Sequence, residues 1–456
     1  MKHLHSLCTL LFGVAVLLFF GIAYPHHLHF QEQYQLFLFD STYVWEVVKQ
    51  PGGVADLLGR FCTQFFLYAW VGALIIAFLL MAVQLLTLRL FEGQRSMFFG
   101  LSFVPSFLLW LFLLDEHALL GGVWAVLLTL LAIWGLVRLP DGWGRRILII
   151  VAILILYWIA FGGSHYYRYP TVFPALLYAA WLSAFLLPLL GYGLRSKVEG
   201  QKSKAIGQWL IFALVAIVMG MLVWKNANFK VEKVIQYDFM ATHQQWNRIL
   251  ETINAEKPNN QIGVTVQNLA LAKHGMLADR LFEYNQNGIL GLLPDVQSDA
   301  TSPMPTAEAF YQLGMVYVAQ RTVFEAQEAI LDFQKSARCY KRLAQTNLII
   351  GSYEVARKYL MALQKTLFYR EWANETLPLL GNEKAIARHP EYGRLRRYAY
   401  DKNFYFSDHV TPEMLESLFF SNTDNHLALE YLRAYYMLTN DREGYARLIQ
   451  ELRAKN

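Results

Sequence analysis

IGQWLIFALVAIVMGMLVW, residues 206–224, runs for 19 positions without a charged side chain. A helix rising ~1.5 Å per residue covers ~30 Å over that length, the thickness of a bilayer's hydrocarbon core. Upstream of this stretch the chain is dominated by similar runs, whereas the 232 residues after it are mixed in polarity. The 456-residue chain is 55% hydrophobic and 15% aromatic, and nearly all of that apolar excess lies before residue 225. The reading is therefore an all-α protein in two parts: a polytopic membrane domain over 1–225 and a helical domain of soluble composition over 226–456.

Working back from 206–224, further spans are predicted at 4–24, 65–88, 97–114, 119–137, 143–161 and 171–190, seven in all. The first is too long for a signal-peptide core and has no small-x-small cleavage site before Tyr24-Pro25, so it reads as a retained helix. Orientation follows from basic residues in the short connections, which resist translocation. With the N-terminus inside, the inner segments carry ten of them: Lys2, Arg89, Arg95, Arg138, Arg145, Arg146, Arg195, Lys197, Lys202 and Lys204. The outer connections carry three, Lys49, Arg60 and Arg168. An odd number of spans then puts the C-terminal domain outside, in the periplasm if the membrane is a bacterial inner membrane. A net charge of +5 without a block of like charge points to no nucleic-acid partner. No span carries an ionisable side chain in its apolar core, which argues against proton-coupled transport and ion pumping. Pro105 is expected to kink the third span.

Chemistry, if the membrane domain has any, belongs at its outer mouth. The long first outer connection, 25–64, reads PHHLHFQEQYQLFLFDSTYVWEVVKQPGGVADLLGRFCTQ. Leu36, Phe39, Tyr43, Val44 and Val47 recur at helical spacing, predicting an amphipathic interfacial helix that breaks at Pro51-Gly52-Gly53 and is followed by a short helix over 54–61. Glu32 and Asp40 are eight residues apart, which on one helix sets them about 80° from each other, as a solvated face or as paired acids. His26, His27 and His29 are interfacial side chains or, given a fixed partner, metal ligands. In the second outer connection, Asp115-Glu116-His117 either marks the membrane boundary and caps the fourth span or gathers oxygens for a divalent cation. The third, GGSHYYRYP at 162–170, is an aromatic belt whose one base, Arg168, suits phosphate, with His165 as the second candidate contact.

This layout resembles the GT-C class of membrane glycosyltransferases, which use polyprenyl-phosphate sugars. The resemblance implies a catalytic acid in the first outer loop (Asp40 or Glu32), an acidic, cation-holding group in the second (Asp115, Glu116), and donor-phosphate contacts from Arg168 and His165. A carboxylate would accept the acceptor's proton while cation and Arg stabilise the departing phosphate. The chain departs from that class in lacking an Asp-Glu or Asp-Asp pair at the start of the first loop. Through FQEQYQLFLFD, PGGVADLLGRFCTQFF and RLAQTNLIIGSYEVARKYL, the whole chain also resembles an uncharacterised family of bacterial inner-membrane proteins, a resemblance that implies no activity.

Downstream of the last span, 307–336 and 337–370 both fit the helix-turn-helix unit of tetratricopeptide repeats. Phe310, Leu313, Gly314 and Tyr317, then Ala326, Ile330 and Phe333, take the packing positions of the first; Tyr340, Leu343, Ala344 and Asn347, then Tyr353, Ala356, Leu360 and Leu363, take those of the second. Gly314, Ala326, Ala344 and Ala356 are read as the small residues that let paired helices approach. Weaker units are expected at 237–253, 261–284 with a turn at His274-Gly275, and 427–452 with a turn at Asn440-Asp441. Residues 285–305 and 371–411 read as irregular. Two functions follow from different halves of the chain: a periplasmic helical-repeat domain recruiting a protein or peptide partner, or a lipid-linked glycosyltransferase at the outer face. Membrane lipid is a partner in both.

Overall fold

The computed structural model describes residues 2–33, 35–91, 98–138, 142–144, 147–152, 154, 173–198, 205–296, 302–330, 334–399 and 411–455. The named elements among them are all helical, and the chain divides into two compact units, Met1–Phe229 and Lys230–Asn456.

The first unit is a bundle of apolar helices. Helix α1, Lys2–Leu18, runs on through a π-helical turn, Phe19–Ala23, before α2, Pro25–Glu32. Helices α3, Ser41–Val48, and α4, Gly53–Thr63, lead to α5, Ala69–Leu90. Helices α6, Val104–Phe112, α7, Leu120–Leu136, α8, Phe173–Val198, and α9, Ala205–Asn226, complete it.

Among the described residues, three helical segments are long and apolar enough to cross a membrane, His5–Ala23, Ala69–Leu90 and Trp209–Asn226; Gly100–Phe112, Leu120–Leu136 and Ala175–Pro188 are apolar but shorter. The expectation of seven full-length spans is thus met by three, and the fifth, 143–161, falls mostly outside the described residues. The third falls short because Pro105 does not kink a continuous helix. It occupies the first turn of α6, behind a 3-10 turn at Gly100–Phe103, where its missing N–H has no helical acceptor to lose.

Exposed apolar residues follow one stripe on α1 (Leu7, Leu11, Leu18, Ile22) and another on α9 (Leu210, Leu214, Ile217, Met221). Water would penalise such surface and hydrocarbon does not. Between helices the few polar groups bond to one another: Thr9 Oγ1 to Gln84 Oε1 at 3.1 Å, Gln84 Nε2 to Ser102 Oγ at 2.8 Å, and Ser106 Oγ to the Leu80 carbonyl at 2.8 Å. In an apolar core each would be costly to leave unmade.

The bundle has two ends. At one, the ring of His5 on α1 stacks on Phe99 at 4.1 Å, and Phe99 lies 6.2 Å from Trp209 on α9. At the other, the Tyr24 hydroxyl donates to the Leu114 carbonyl at 3.5 Å and accepts from Asn228 N–H at 3.1 Å. One phenol thereby ties the ends of α1, α6 and α9, which all run the same way.

Within 25–64, the short helix expected at 54–61 is present as α4, whereas the amphipathic helix expected before Pro51-Gly52-Gly53 starts later than its spacing suggests. Residues 35–40 are non-helical and α3 begins only at Ser41, because the Asp40 carboxylate caps it by accepting from Tyr43 N–H at 3.1 Å. Glu32 and Asp40 therefore do not share a helix face. Helix α4 starts at Gly53, after Gly52 with φ +75°, and crosses α7 through a glycine contact: a Cβ on Gly59 would collide with the Gly121 backbone.

The second unit stacks helical hairpins. Helix α10, Phe229–Thr242, comes first, and α11, Trp246–Glu256, packs on α12, Gln261–Lys273. The segment after His274-Gly275 is turns and a 3-10 helix at Leu281–Glu283, where an α-helical partner was expected. Next come the pairs α13, Pro303–Leu313, with α14, Val316–Ala329, and α15, Ala337–Ile350, with α16, Tyr353–Leu363, with α14 packed on α15. Gly314 and Gly351, at φ +91° and +85°, end α13 and α15. Ala326, Ala344 and Ala356 are buried, but Gly314 meets a different neighbour from the one its spacing suggests: a Cβ there would lie 2.6 Å from that of Tyr398. The stretch read as irregular holds three short helices, α17, Arg370–Thr376, α18, Glu383–Arg388, and α19, Tyr392–Tyr398, the last packed on α13 and α15. Helices α20, Pro412–Ser421, α21, His426–Thr439, and α22, Arg442–Lys455, close the unit, with Asn440 in the left-handed conformation between α21 and α22.

Candidate functional site

At the Tyr24 end of the first unit, α6 stops at Phe112, and helix α2 reaches the backbone carbonyls at and just beyond that end. His27 Nε2–H donates to the Leu113 carbonyl at 2.9 Å, and the Gln31 amide donates to those of Asp115 and Ala118, both at 3.1 Å. Both side chains are buried. Burial holds the His27 imidazole down at about 4; the Leu113 carbonyl and Asp115 act to raise it and His117 to lower it. His27 is thus the neutral Nε2–H tautomer, a structural donor.

The structure thereby brings α2 against the acidic turn. Asp115, Glu116 and His117 present one donor atom each within 4.8 Å of one another, and this is the group of potential metal ligands found among the described residues. Asp115 Oδ1 already accepts His117 N–H at 2.6 Å and lies 3.3 Å from His117 Nδ1. Three donors from consecutive residues, one an imidazole and one already capping the turn, are a poor fit to a hard divalent cation, which takes six or more oxygens. No chemistry is routed through a metal here.

Of the remaining expected site residues, Glu32 and Asp40 belong to different elements. Glu32, buried at the end of α2, adjoins Gln31, whereas Asp40 caps α3. Arg168 and His165 lie outside the described residues. A cluster absent from the expected site residues surrounds Arg60 on α4. Its Nε and Nη2 donate to Asp56 Oδ2 at 3.0 and 2.6 Å, and its Nη1 donates to the Tyr43 hydroxyl at 3.3 Å. Gln35 Nε2 reaches Asp56 Oδ1 at 3.5 Å, and the Tyr43 hydroxyl donates to the Leu36 carbonyl at 2.9 Å. Burial pushes the Tyr43 phenol up and opposes the Arg60 charge, but Asp56 and Tyr43 outweigh it and Arg60 stays raised. The i, i+4 spacing of Asp56 and Arg60 was the available sign.

The second unit carries a larger polar assembly on the first helices of its hairpins. Arg338 on α15 grips Asp238 on α10 with both nitrogens, at 2.5 and 2.8 Å, and Thr242 at 2.6 Å. Arg342 pairs with Glu308 on α13 and lies 3.7 Å over the Tyr311 ring. The Tyr311 hydroxyl donates to Glu391 Oε1 at 2.9 Å, and Gln312 Nε2 donates to Glu308 Oε1 at 2.7 Å.

A family model described as a family of unknown function, DUF6057, matches residues 1–165 and 160–456. No curated protein and no solved structure matches the chain. The chain belongs to that family of unknown function.

Proposed function

We propose that this chain is a polytopic inner-membrane protein whose second unit is a periplasmic, tetratricopeptide-like platform for a protein or peptide partner. The observation that carries this is the stacking of α13–α14 on α15–α16, each first helix ended by a left-handed glycine and turning charged side chains to a shared face. Stacked helical hairpins offer an extended surface that a peptide can follow. The membrane domain is read as seven spans with the N-terminus in the cytoplasm. In support, His5 and Tyr24 lie at opposite ends of the bundle, and residue 228 lies at the Tyr24 end. Arg89 and Arg138, both counted as inner residues, lie over the one indole of Trp134 at 5.3 and 3.7 Å. The test is a photo-cross-linking residue at Trp372 in living cells, which should yield a discrete protein adduct. Its absence across Trp372 and Trp246 would sink the reading. For the topology, a cysteine at exposed Lys358 should react with an impermeant maleimide from the periplasmic side.

A second reading, a GT-C-like transferase using a polyprenyl-phosphate sugar, draws on the seating of α2 against the acidic turn. Glu32 or Asp40 would be its base, and Arg168 and His165 its phosphate contacts. It requires Asp115→Asn with Glu116→Gln to abolish sugar transfer while leaving expression intact.

A further inference from the structure

We propose that the face formed by α12, α13, α15 and α19 binds an acidic peptide segment, whose carboxylates are gripped by Lys273, Lys341 and Arg394. This rests on the partner-binding reading above and specifies the partner's chemistry.

Half-buried cations in a folded protein normally face a carboxylate. On this face the carboxylates are already engaged: Asp238 by Arg338, Glu308 by Arg342 and Gln312, Glu391 by Tyr311. Lys341 and Arg394 are half-buried, and among the described residues neither has a hydrogen bond or an ion pair. Lys273, also half-buried, donates to the neutral Gln312 Oε1 at 2.5 Å. Five cations on this face thus meet three carboxylates. Burial and the adjacent Arg394 hold the Lys273 amine down at about 8, with Glu308 and Glu391 acting the other way. Burial and Arg342 likewise lower Lys341. An anion entering the face relieves both effects.

Each of the three cations is braced by an aromatic ring: Lys273 5.5 Å over Trp246, Lys341 5.1 Å over Trp372 and Arg394 5.8 Å over Tyr398. A ring face positions a cation without neutralising it. The cations come from three different helices and converge on no backbone nest of the kind that cradles a single phosphate. Spaced charges alternating with aromatic faces suit an extended chain carrying several carboxylates.

The test uses the full chain in nanodiscs and fluorescein-labelled hexaglutamate, acetylated and amidated so that only side-chain carboxylates are present, read by anisotropy. Saturable binding is expected, weakening at least about tenfold between low and high salt. Lys341→Gln and Arg394→Gln should each weaken it by about fivefold or more, Lys341→Arg should retain it, and Lys358→Gln, exposed on α16, should not change it. No binding at ~1 mM peptide, or equal binding by the Lys341→Gln/Arg394→Gln variant, would overturn the inference. So would full displacement by inorganic phosphate at an equal concentration of charge. If the Trp372 adduct persists in that double variant while hexaglutamate fails to bind the unmodified chain, this inference falls and the partner reading stands. If no adduct forms in the unmodified chain, both fall.

Discussion

In the first unit, the polar side chains at the Tyr24 end close on backbone: Tyr24, His27 and Gln31 donate to the carbonyls of Leu113, Leu114, Asp115 and Ala118 at and after the end of α6. In the second unit, polar side chains pair with one another and leave Lys341 and Arg394 over. The difference separates two uses of polarity. Where hydrocarbon surrounds a helix end, an unmade backbone bond costs so much that nearby polar groups are recruited to the fold. Where water reaches a half-buried face, a charge can stand ready for a ligand.

Four substitutions break or sharpen that contrast. The largest effect is expected at Asp238→Ala, which strands the buried Arg338 guanidinium and should destabilise the second unit by about 3–5 kcal/mol in denaturant unfolding. If Asp115→Asn cost as much in the first unit, the turn would be more than a cap. Next, Gly59→Leu should force α4 off α7 at a cost of about 1–3 kcal/mol, read as faster proteolysis of 25–64. Gln31→Leu should cost a similar ~1–3 kcal/mol by taking the side-chain donor from the Ala118 carbonyl and leaving that of Asp115 with the Ala118 N–H alone, seen as faster amide exchange over 113–118. Asp40→Ala, the smallest, should lose the α3 cap at about 1 kcal/mol and expose the Tyr43 amide to exchange.

Acid tests the same docking. His27 sits at about 4 in the folded chain and near 6.5 when unfolded, so the unfolded state binds the extra proton between those values. Stability is therefore complete above pH 6.5 and falls as the pH drops toward 4. His27→Gln, which keeps a donor for Leu113, should remove that share of the acid sensitivity in thermal unfolding.

Much of the fold was legible because helical periodicity and apolar runs are local signals. The stretch at 206–224 falls within a helix at Ala205–Asn226, and the turns at Gly351 and Asn440 stand where glycine and asparagine mark left-handed backbone. The misreadings have a common cause. Leu36, Phe39 and Tyr43 have helical spacing, yet residues 35–40 are non-helical because an Asp cap at residue 40 starts the helix later. Pro105 was read as a kink although a 3-10 turn precedes it. Tyr24, Gln31 and the Arg338–Asp238 pair depend on partners 84 to 204 residues away, and nothing in local spacing encodes those distances.

The central claim is that recruitment lies on the second unit and that the acidic turn of the first is structural. The most direct measurement compares the Trp372 photo-adduct in two double variants, Asp115→Asn/Glu116→Gln and Lys341→Gln/Arg394→Gln, at matched expression. The adduct should be unchanged in the first and lost in the second. Loss in the first with retention in the second would contradict the account and move the function to the acidic turn of the first unit.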